Sequence, residues 1–369
     1  MLFSRENTTG RMKRGIALLC ALLMCLSMLC ACGKDQTQEG GDNTGAASSA
    51  AQSGKQGGSE ESSQQAEVTD IYELPLFDEL PENYAEITPA FWKAESPNGG
   101  VLYLFGSIHI ADKTAYRMPQ QIMDAYLASS ALAVEVDTLA MKEDEERMKA
   151  LEALTTYPDG DNLQNHIDPL IYDQIVEFLK SNSDDPEILS RLKNRRPCIW
   201  LTELGAVDED AAGLSADYGI DDHFMKLAHA QGKEIIEIES AESQYNALNS
   251  LSDRAYDVLL GGSVMPSESL GKDVKQLYEQ WKAGKIEAST DSEVDEVSAE
   301  EDPFGYTEAL AEYNRIIYTD RNAIMAKAAK SYLDDGKKVF FVVGAEHMLG
   351  STGIVESLKA DGYTVERIG

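Results

Sequence analysis

The 369-residue sequence has little that could form disulfide bonds. It contains five cysteines. Four of them lie near the N-terminus: Cys20, Cys25, Cys30 and Cys32. Only Cys198 lies in the rest of the chain, so a framework of disulfides is excluded. We interpret Cys198 as a buried apolar residue rather than a nucleophile.

Positive charge is scarce as well. The chain has 32 Lys and Arg residues against 64 Asp and Glu residues, for a formal net charge of −32. Such a surface excludes nucleic acid as a partner and makes anionic lipid a poor one. The run 287–302 alone holds eight acids and no base. We interpret it as a solvated loop; the alternative, a calcium site, lacks the glycine and the ligand spacing of a calcium-binding loop.

Two common hydrolase motifs are missing. The sequence has no His-Glu-x-x-His pattern and no Gly-x-Ser-x-Gly pattern, and only five histidines in all. The helical zinc-protease class and the serine-hydrolase class with a nucleophile elbow are therefore not supported.

The N-terminus has the layout of a secretory signal. Four basic residues, Arg5, Arg11, Lys13 and Arg14, precede an uncharged apolar run over 15–31. The sequence Leu-Cys-Ala-Cys-Gly over 29–33 resembles the lipobox of bacterial lipoproteins, which predicts a signal peptide over 1–31 and a lipidated Cys32 as the mature N-terminus. The alternative is a retained transmembrane anchor, since the run is about as long as a short membrane span.

The composition of residues 32–74 predicts a flexible tether, because Gly, Ser, Gln, Asn, Thr and Ala dominate and few residues could form a core. The remaining range, 75–369, is long enough for one large domain. We therefore expect a domain at the outer face of the bacterial cytoplasmic membrane, attached to it by the lipid on Cys32.

Apolar runs predict strands near both ends of this domain. The predicted strands cover 101–105, 131–136, 233–239, 338–343 and 363–368, and helical spacing covers 116–129, 141–204, 220–230, 241–284, 306–333 and 353–360. The helical region over 241–284 is predicted to break near Gly261 and Gly262. This order predicts an α/β (α+β) fold. Its central mixed sheet is built from N- and C-terminal strands, with helices on its faces and a large helical insertion.

Two of the histidines share a local pattern. His109 and His347 each follow an apolar strand in a Gly-x-x-His sequence. The glycine lets the backbone bend sharply, and the carboxyl ends of strands in α/β sheets are where ligands bind. A capping histidine is the alternative for either one alone. We expect both rings in one cleft, and a structure with the two on opposite faces of the sheet would contradict this.

Glutamates within apolar strands form a second set of candidates. Glu135 is expensive to bury unless it is paired or binds a metal, although an edge position facing water is the alternative. Glu237 and Glu239 alternate in the next predicted strand, and one of them can be an ordinary solvent-facing residue.

The sequences FGSIHIAD, AVEVD, YGIDDHF, IEIESAESQ, DRNAIMAKA and the closing GAEHMLGSTGIVESLKADGYTVERI resemble the TraB/GumN family over residues 88–369. Relatives of that family include the TIKI metalloproteases and, more distantly, ChaN-like and erythromycin-esterase-like proteins. Ser107 is a departure, since threonine is commoner there, but the hydroxyl is kept.

The resemblance implies which residues form the site. They are His109, Glu135, Asp221, Glu239, Gln244, Arg321, Asn322 and His347. His109, His347 and Glu135 can bind a divalent metal, Mn²⁺, Co²⁺ or Zn²⁺, with positions left for water. Arg321 can stabilise an oxyanion or clamp a carboxylate, or simply form an ion pair with nearby acids, and Asn322 can donate a hydrogen bond beside it. His223 is a minor candidate because it lies near Asp221.

The function implied is a metal-dependent hydrolase, similar to a peptidase, that acts on a peptide or protein. The alternative is a non-catalytic protein of the same fold that binds and sequesters a peptide signal. A haem or iron ligand of the ChaN type is least supported, because no axial Cys, Met or Tyr pattern occurs.

Overall fold

Six strands form one mixed sheet at the centre of the computed structural model, which describes residues 84–264, 270–288, 302 and 305–369. The strands are β1 (Phe91–Glu95), β2 (Val101–Ser107), β3 (Ala131–Val134), β4 (Glu234–Glu237), β5 (Lys338–Gly344) and β6 (Thr364–Arg367). The predicted signal peptide, Cys32, the tether and most of the acidic run lie outside the described residues.

The sheet interleaves strands from the two ends of the domain. Its order is β4-β3-β5-β2-β1-β6. The four strands β4, β3, β5 and β2 run parallel, while β1 pairs antiparallel with β2 and β6. The predicted fold class, a mixed sheet built from both termini, is therefore confirmed.

The central strands are apolar along their whole length because both of their faces are covered. β2 and β5 read VLYLFGS and KVFFVVG, the continuous apolar runs typical of parallel strands buried on two sides. They pair in parallel from Val101 opposite Lys338 to Ser107 opposite Gly344. The ends of the two strands that precede the Gly-x-x-His histidines are therefore neighbours.

Alternation divides the sheet residues between two cores. Tyr103, Phe105, Phe340 and Val342 pack on one face with α-helical residues such as Phe224. On the other face, the residues that alternate with them pack against a different set of helices. The same alternation predicts the face to which the side chain at the C-terminal end of β2 or β5 points.

Fourteen α-helices lie in the described part of the chain. They are α1 (Gln120–Ala128), α2 (Thr138–Glu143), α3 (Glu145–Thr155), α4 (Pro169–Asn182), α5 (Ile188–Leu192), α6 (Pro197–Ala212), α7 (Ile220–Gln231), α8 (Ala241–Asn249), α9 (Asp253–Ser263), α10 (Lys272–Lys282), α11 (Tyr306–Tyr313), α12 (Asp320–Asp334), α13 (Ala345–Met348) and α14 (Ile354–Ala360). Helices α1, α7 and α10 cover one face of the sheet, and α12, α13 and α14 cover the other. The remaining helices share a third core around Trp200 and Tyr313, which is the predicted helical insertion.

Three local predictions were wrong in detail. The strand before Glu135 ends at Val134, so this glutamate lies just beyond the strand rather than within it. Helix α9 continues through Gly261 and Gly262 to Ser263 instead of breaking there. The predicted helix over 306–333 contains a π-helical segment, Asn314–Thr319, between α11 and α12.

One strand, β1, was not predicted. Its sequence, FWKAE, is short and contains a half-buried lysine, so it lacks a continuous apolar run. Among the described residues, no helix is long and apolar enough to cross a membrane.

Candidate active site

Three predicted site residues meet above Gly344 at the end of β5. A Cβ atom built on this glycine would lie 3.4 Å from His109 Nε2, 3.5 Å from His347 Cδ2 and 3.6 Å from Glu135 Oε1. All three atoms therefore lie within 3.6 Å of one point. The structure thus brings both Gly-x-x-His rings and the glutamate together at the carboxyl end of β5.

His109 is positioned by the start of helix α7. The backbone N–H of Ile220 donates to the Ile108 carbonyl at 2.8 Å, and a Cβ on Gly219 would approach the His109 carbonyl oxygen to 2.7 Å. Only glycine allows this close contact at residue 219. The contact brings Asp221 Oδ1 to 3.1 Å from His109 Nδ1, with both side chains buried.

His347 is positioned by helix α12, which packs on the other face of the sheet. Its Nδ1 donates a 2.6 Å hydrogen bond to Asn322 Oδ1, and the ring is buried. Because Nδ1 is the donor, Nε2 carries the lone pair of the neutral ring. This Nε2 has no hydrogen-bond partner among the residues that the structure describes.

The two histidines therefore share an arrangement. Each ring has its Nδ1 against a side-chain oxygen, supplied by Asp221 for His109 and by Asn322 for His347. Histidines that bind metals in proteins typically have this second partner, which fixes the ring and its tautomer. His109 Nε2 lies beside the Cβ position of Gly344, and so does His347 Cδ2, the ring carbon bonded to Nε2.

Glu135 is held by a buried network. Its Oε1 accepts from the Gly344 backbone N–H at 2.9 Å, and its Oε2 accepts from Arg321 Nη2 at 2.6 Å and from Gln244 Nε2 at 3.2 Å. Glu239 lies across the guanidinium and accepts from Arg321 Nη2 at 2.7 Å. The water-facing alternative for Glu135 is excluded, since 3% of its surface is exposed.

The sequence led us to expect Arg321 and Asn322 at the rim of the site, but the structure buries both residues. Arg321 is 7% exposed and Asn322 is 1% exposed. Arg321 forms ion pairs with Glu135 and Glu239, as its alternative interpretation predicted. Of the two alternating glutamates, Glu239 belongs to this network, whereas Glu237 pairs with Arg147 at 2.7 Å near the surface.

The charges of these groups act on one another. Burial favours the neutral form of Glu135, but Arg321, the two histidines and the Gly344 N–H outweigh it and lower the pKa of Glu135 to about 2. Burial, followed by the charge of Arg321, lowers the pKa of His347 to about 3. Burial also lowers the pKa of His109, but the charge and hydrogen bond of Asp221 reverse this and the net shift is upward.

The described residues contain no group of three or more His, Cys, Asp or Glu side chains arranged to hold a metal ion. The donors nevertheless fit a cation in chemical type. His347 Nε2 is a buried acceptor without a described donor. His109 Nε2 lies beside the Cβ position of Gly344, and Glu135 Oε1 accepts one hydrogen bond there while a carboxylate oxygen has two lone pairs.

The other three histidines have structural partners. His166 stacks on Tyr157 with ring centroids 4.6 Å apart, and His229 Nε2 lies 2.9 Å from Asp137 Oδ2. His223, the minor candidate, is buried with its ring centroid 4.8 Å from that of Tyr116.

Two features beside the site were not predicted from the sequence. Tyr318, on the π-helical segment, hydrogen bonds to Glu346, and its ring centroid lies 5.5 Å from that of His347. The π-helical turn shifts the helical phase, so spacing alone gave no signal for this contact. The second feature is Ser107, whose buried hydroxyl is paired in register with Gly344.

Comparison with known proteins gives distant relatives. The chain is 28% identical to the uncharacterized protein YbaP of Escherichia coli strain K12 over 165 residues, which cover 44% of this chain and 57% of that protein. It is 23% identical to metalloprotease TIKI1 of Homo sapiens over 332 residues, covering 78% of this chain and 63% of that protein. It is 23% identical to metalloprotease TIKI2 of Xenopus tropicalis over 336 residues, which cover 78% of this chain and 61% of that protein.

The chain thus spans less than two thirds of the length of these relatives. No solved structure matches it. The model of the TraB/PrgY/gumN family, however, matches residues 90–367, which run from the residue before β1 to the last residue of β6. This range includes every site residue described above, so the resemblance found in the sequence is confirmed: the chain belongs to the TraB/PrgY/gumN family.

Proposed function

We propose that this protein is a metal-dependent hydrolase that cleaves peptide bonds. The observation that carries the proposal is the pair of buried imidazoles, which converge beside Gly344 while their Nδ1 atoms lie against Asp221 and Asn322. The distant relation to TIKI metalloproteases supports the same class. The metal would be Mn²⁺, Co²⁺ or Zn²⁺.

The residues that would hold the metal are His109, His347 and Glu135. When bound, such a metal supplies Lewis acidity and a water nucleophile usable near neutral pH. The network beneath the site keeps Glu135 ionised and fixes its carboxylate. Asp221 and Asn322 orient the two rings.

The test uses the domain beginning at residue 75. We expect about one metal ion per chain by elemental analysis, and cleavage of a mixture of fluorescence-quenched peptides that stops on chelation and returns with Mn²⁺, Co²⁺ or Zn²⁺. His347→Ala should abolish both metal binding and cleavage. His229→Ala is the matched control, because that ring pairs with Asp137 and is 43% exposed in its side chain.

A second candidate is a non-catalytic protein that binds a peptide signal. It is favoured by the hydrogen bonds that already hold Glu135, whose oxygens accept from Gly344, Arg321 and Gln244. Under this alternative, chelation leaves peptide affinity unchanged and no product forms. Metal-free protein with unchanged peptide binding would overturn the hydrolase proposal.

We also propose that the protein is exported and anchored by lipid on Cys32 at the outer face of the cytoplasmic membrane. The support is the signal-like sequence over 1–31 and its lipobox-like end. Cys32→Ser should leave an unprocessed precursor, whereas Cys30→Ser should be processed normally. A free Cys32 thiol by mass spectrometry would contradict the proposal.

A further inference from the structure

A hydrolase needs a donor for the oxygen of the carbonyl group that it attacks, and the obvious candidate is occupied. Arg321 Nε lies 3.1 Å from both oxygens of Glu239, and Nη2 lies 2.6 Å from Glu135 and 2.7 Å from Glu239. Two guanidinium nitrogens are thus committed to buried carboxylates. These two nitrogens of Arg321 therefore act on the site through the carboxylates that they hold.

Ser107 points to the same side of the sheet as the three convergent groups. It follows Phe105 by two residues on β2, and Gly344 follows Val342 by two residues on β5. Phe105 and Val342 pack in one core, so alternation directs the Ser107 side chain and the missing Cβ of Gly344 to that face. The two residues are register partners on adjacent strands, which lie about 4.8 Å apart.

The Ser107 hydroxyl is buried and has no described partner. The residue is 2% exposed, and its Oγ makes no hydrogen bond to any residue in the described part of the chain. Buried hydroxyl groups are normally paired, because water is lost on burial without replacement. Ser129 illustrates the usual case: it is also buried, at 4% exposed, and its Oγ donates to the Ala125 carbonyl at 2.8 Å.

We propose that Ser107 is a further catalytic residue, whose hydroxyl donates a hydrogen bond to the carbonyl oxygen of the peptide bond being cleaved. This inference rests on the proposed hydrolytic function. As the water oxygen bonds to the carbonyl carbon, the π-electron pair moves onto the carbonyl oxygen, which then accepts more strongly from the hydroxyl. When the C–N bond breaks, the electron pair returns, the water's proton passes to the amine, and an acid and an amine leave.

The experiment compares Ser107→Ala, Ser107→Thr and the control Ser129→Ala in the metal-loaded protein. Cleavage of the quenched peptide mixture gives kcat and KM. A phosphinate pseudopeptide of Ala-Ala, whose tetrahedral oxygens imitate the transition state, gives a Kd that does not depend on turnover, and the parent dipeptide gives the ground-state Kd.

We expect kcat of Ser107→Ala to fall by about 100-fold or more, with KM little changed, because a donor used in the transition state is lost. Phosphinate should bind this variant at least tenfold more weakly while the dipeptide binds as before. Ser107→Thr keeps the hydroxyl and should retain most of the activity, and Ser129→Ala should resemble the unaltered protein.

The outcomes separate the two proposals. If the unaltered protein cleaves peptides and Ser107→Ala does so equally well, the role of Ser107 is overturned and the hydrolase stands. If Ser107→Ala loses phosphinate and dipeptide affinity together, the hydroxyl is a structural or ground-state group, which also overturns its proposed role. If the unaltered protein neither cleaves peptides nor prefers the phosphinate, the hydrolase and the role of Ser107 fall together.

Discussion

At the scale of single residues, Arg321 neutralises two buried carboxylates. Its guanidinium lies between Glu135 and Glu239, whose side chains are each 3% exposed. A buried ion pair adds little net stability, but removal of one partner leaves a buried charge uncompensated. Here two carboxylates depend on one cation.

Arg321→Ala should therefore reduce the free energy of unfolding by about 3–5 kcal/mol. Urea unfolding followed by circular dichroism measures this change. The matched control is Arg315→Ala, because Arg315 pairs with Asp320 at the surface with a 59% exposed side chain. That variant should lose no more than about 1 kcal/mol, and equal losses in the two variants would contradict the prediction.

Glycine 344 leads to a different prediction, in which the fold is kept but the site is blocked. A Cβ at Gly344 would meet its three neighbours at 3.4–3.6 Å, which is ordinary van der Waals contact. Gly344→Ala should thus change stability by less than about 1 kcal/mol, yet abolish metal binding and cleavage. Isothermal titration with Mn²⁺ and thermal unfolding measure the two effects.

The control for this substitution is Gly106→Ala, on the neighbouring strand β2. A Cβ at Gly106 would lie 2.9 Å from the Ala345 Cα, so the backbone must shift, and Gly106→Ala should cost about 1–3 kcal/mol. If Gly344→Ala binds the metal ion as well as the unaltered protein does, the metal is held elsewhere.

His223 should make the fold sensitive to acid. Burial lowers its pKa from the usual 6.5 to about 3. Between these values the unfolded chain binds a proton that the folded chain does not, so stability is full above pH 6.5 and decreases as the pH falls toward 3.

The expected slope for one such group is about 1.4 kcal/mol per pH unit. Urea unfolding at pH 7, 6 and 5 should show a steeper loss for the unaltered protein than for His223→Leu. Parallel pH profiles would rule out this contribution. The low pKa of Glu135 acts in the same direction, but only as the pH falls from about 4.5 toward 2.

At the scale of elements, the π-helical segment Asn314–Thr319 determines how α12 faces the sheet. Helices α11 and α12 run into it from either side. A π-helical turn accommodates extra residues, and each residue rotates the following helix by about 100°. The segment therefore sets the direction of Arg321 and Asn322 relative to α11.

Deletion of Arg315, an exposed residue of this segment, should rotate one of the two helices by about 100°. Either Arg321 and Asn322 leave the site or the core around Tyr313 is disrupted, so we expect a larger loss of thermal stability than in Arg315→Ala. Unchanged melting and unchanged metal binding after the deletion would show that the segment is not needed to place these residues.

Elements also differ in how well the sequence predicted them. β2 and β5 were predicted because their apolar runs are continuous, and the glycines and histidines that end them gave the site. β1 was missed because Lys93 interrupts a five-residue strand. The partners of Arg321 could not be chosen in advance, since the chain offers many acids and only the position of α12 beside the ends of β3 and β4 selects Glu135 and Glu239.

At the scale of the whole molecule, residues 32–74 should not contribute to the stability of the fold. β1 is the first strand and lies between β2 and β6, with Phe91 fully buried. We expect a chain starting at residue 75 to melt at the same temperature as one starting at Cys32, because the intervening composition has little to bury.

A chain starting at residue 97 is the matched control for that truncation. It lacks β1, which would leave β6 without its partner and expose the edge of β2, so it should melt at a much lower temperature or fail to fold. A large loss on starting at residue 75 would show that residues 32–74 contribute to the fold.

The parallel pairing of β2 with β5 also has a consequence for synthesis. His109 is translated long before β5, the strand that places His347 beside it. Because the contact spans most of the domain, it adds to the contact order and tends to form late in folding. A nascent chain that ends before β5 therefore carries His109 and Glu135 without His347. Any activity of this site requires that β5 and His347 have been made.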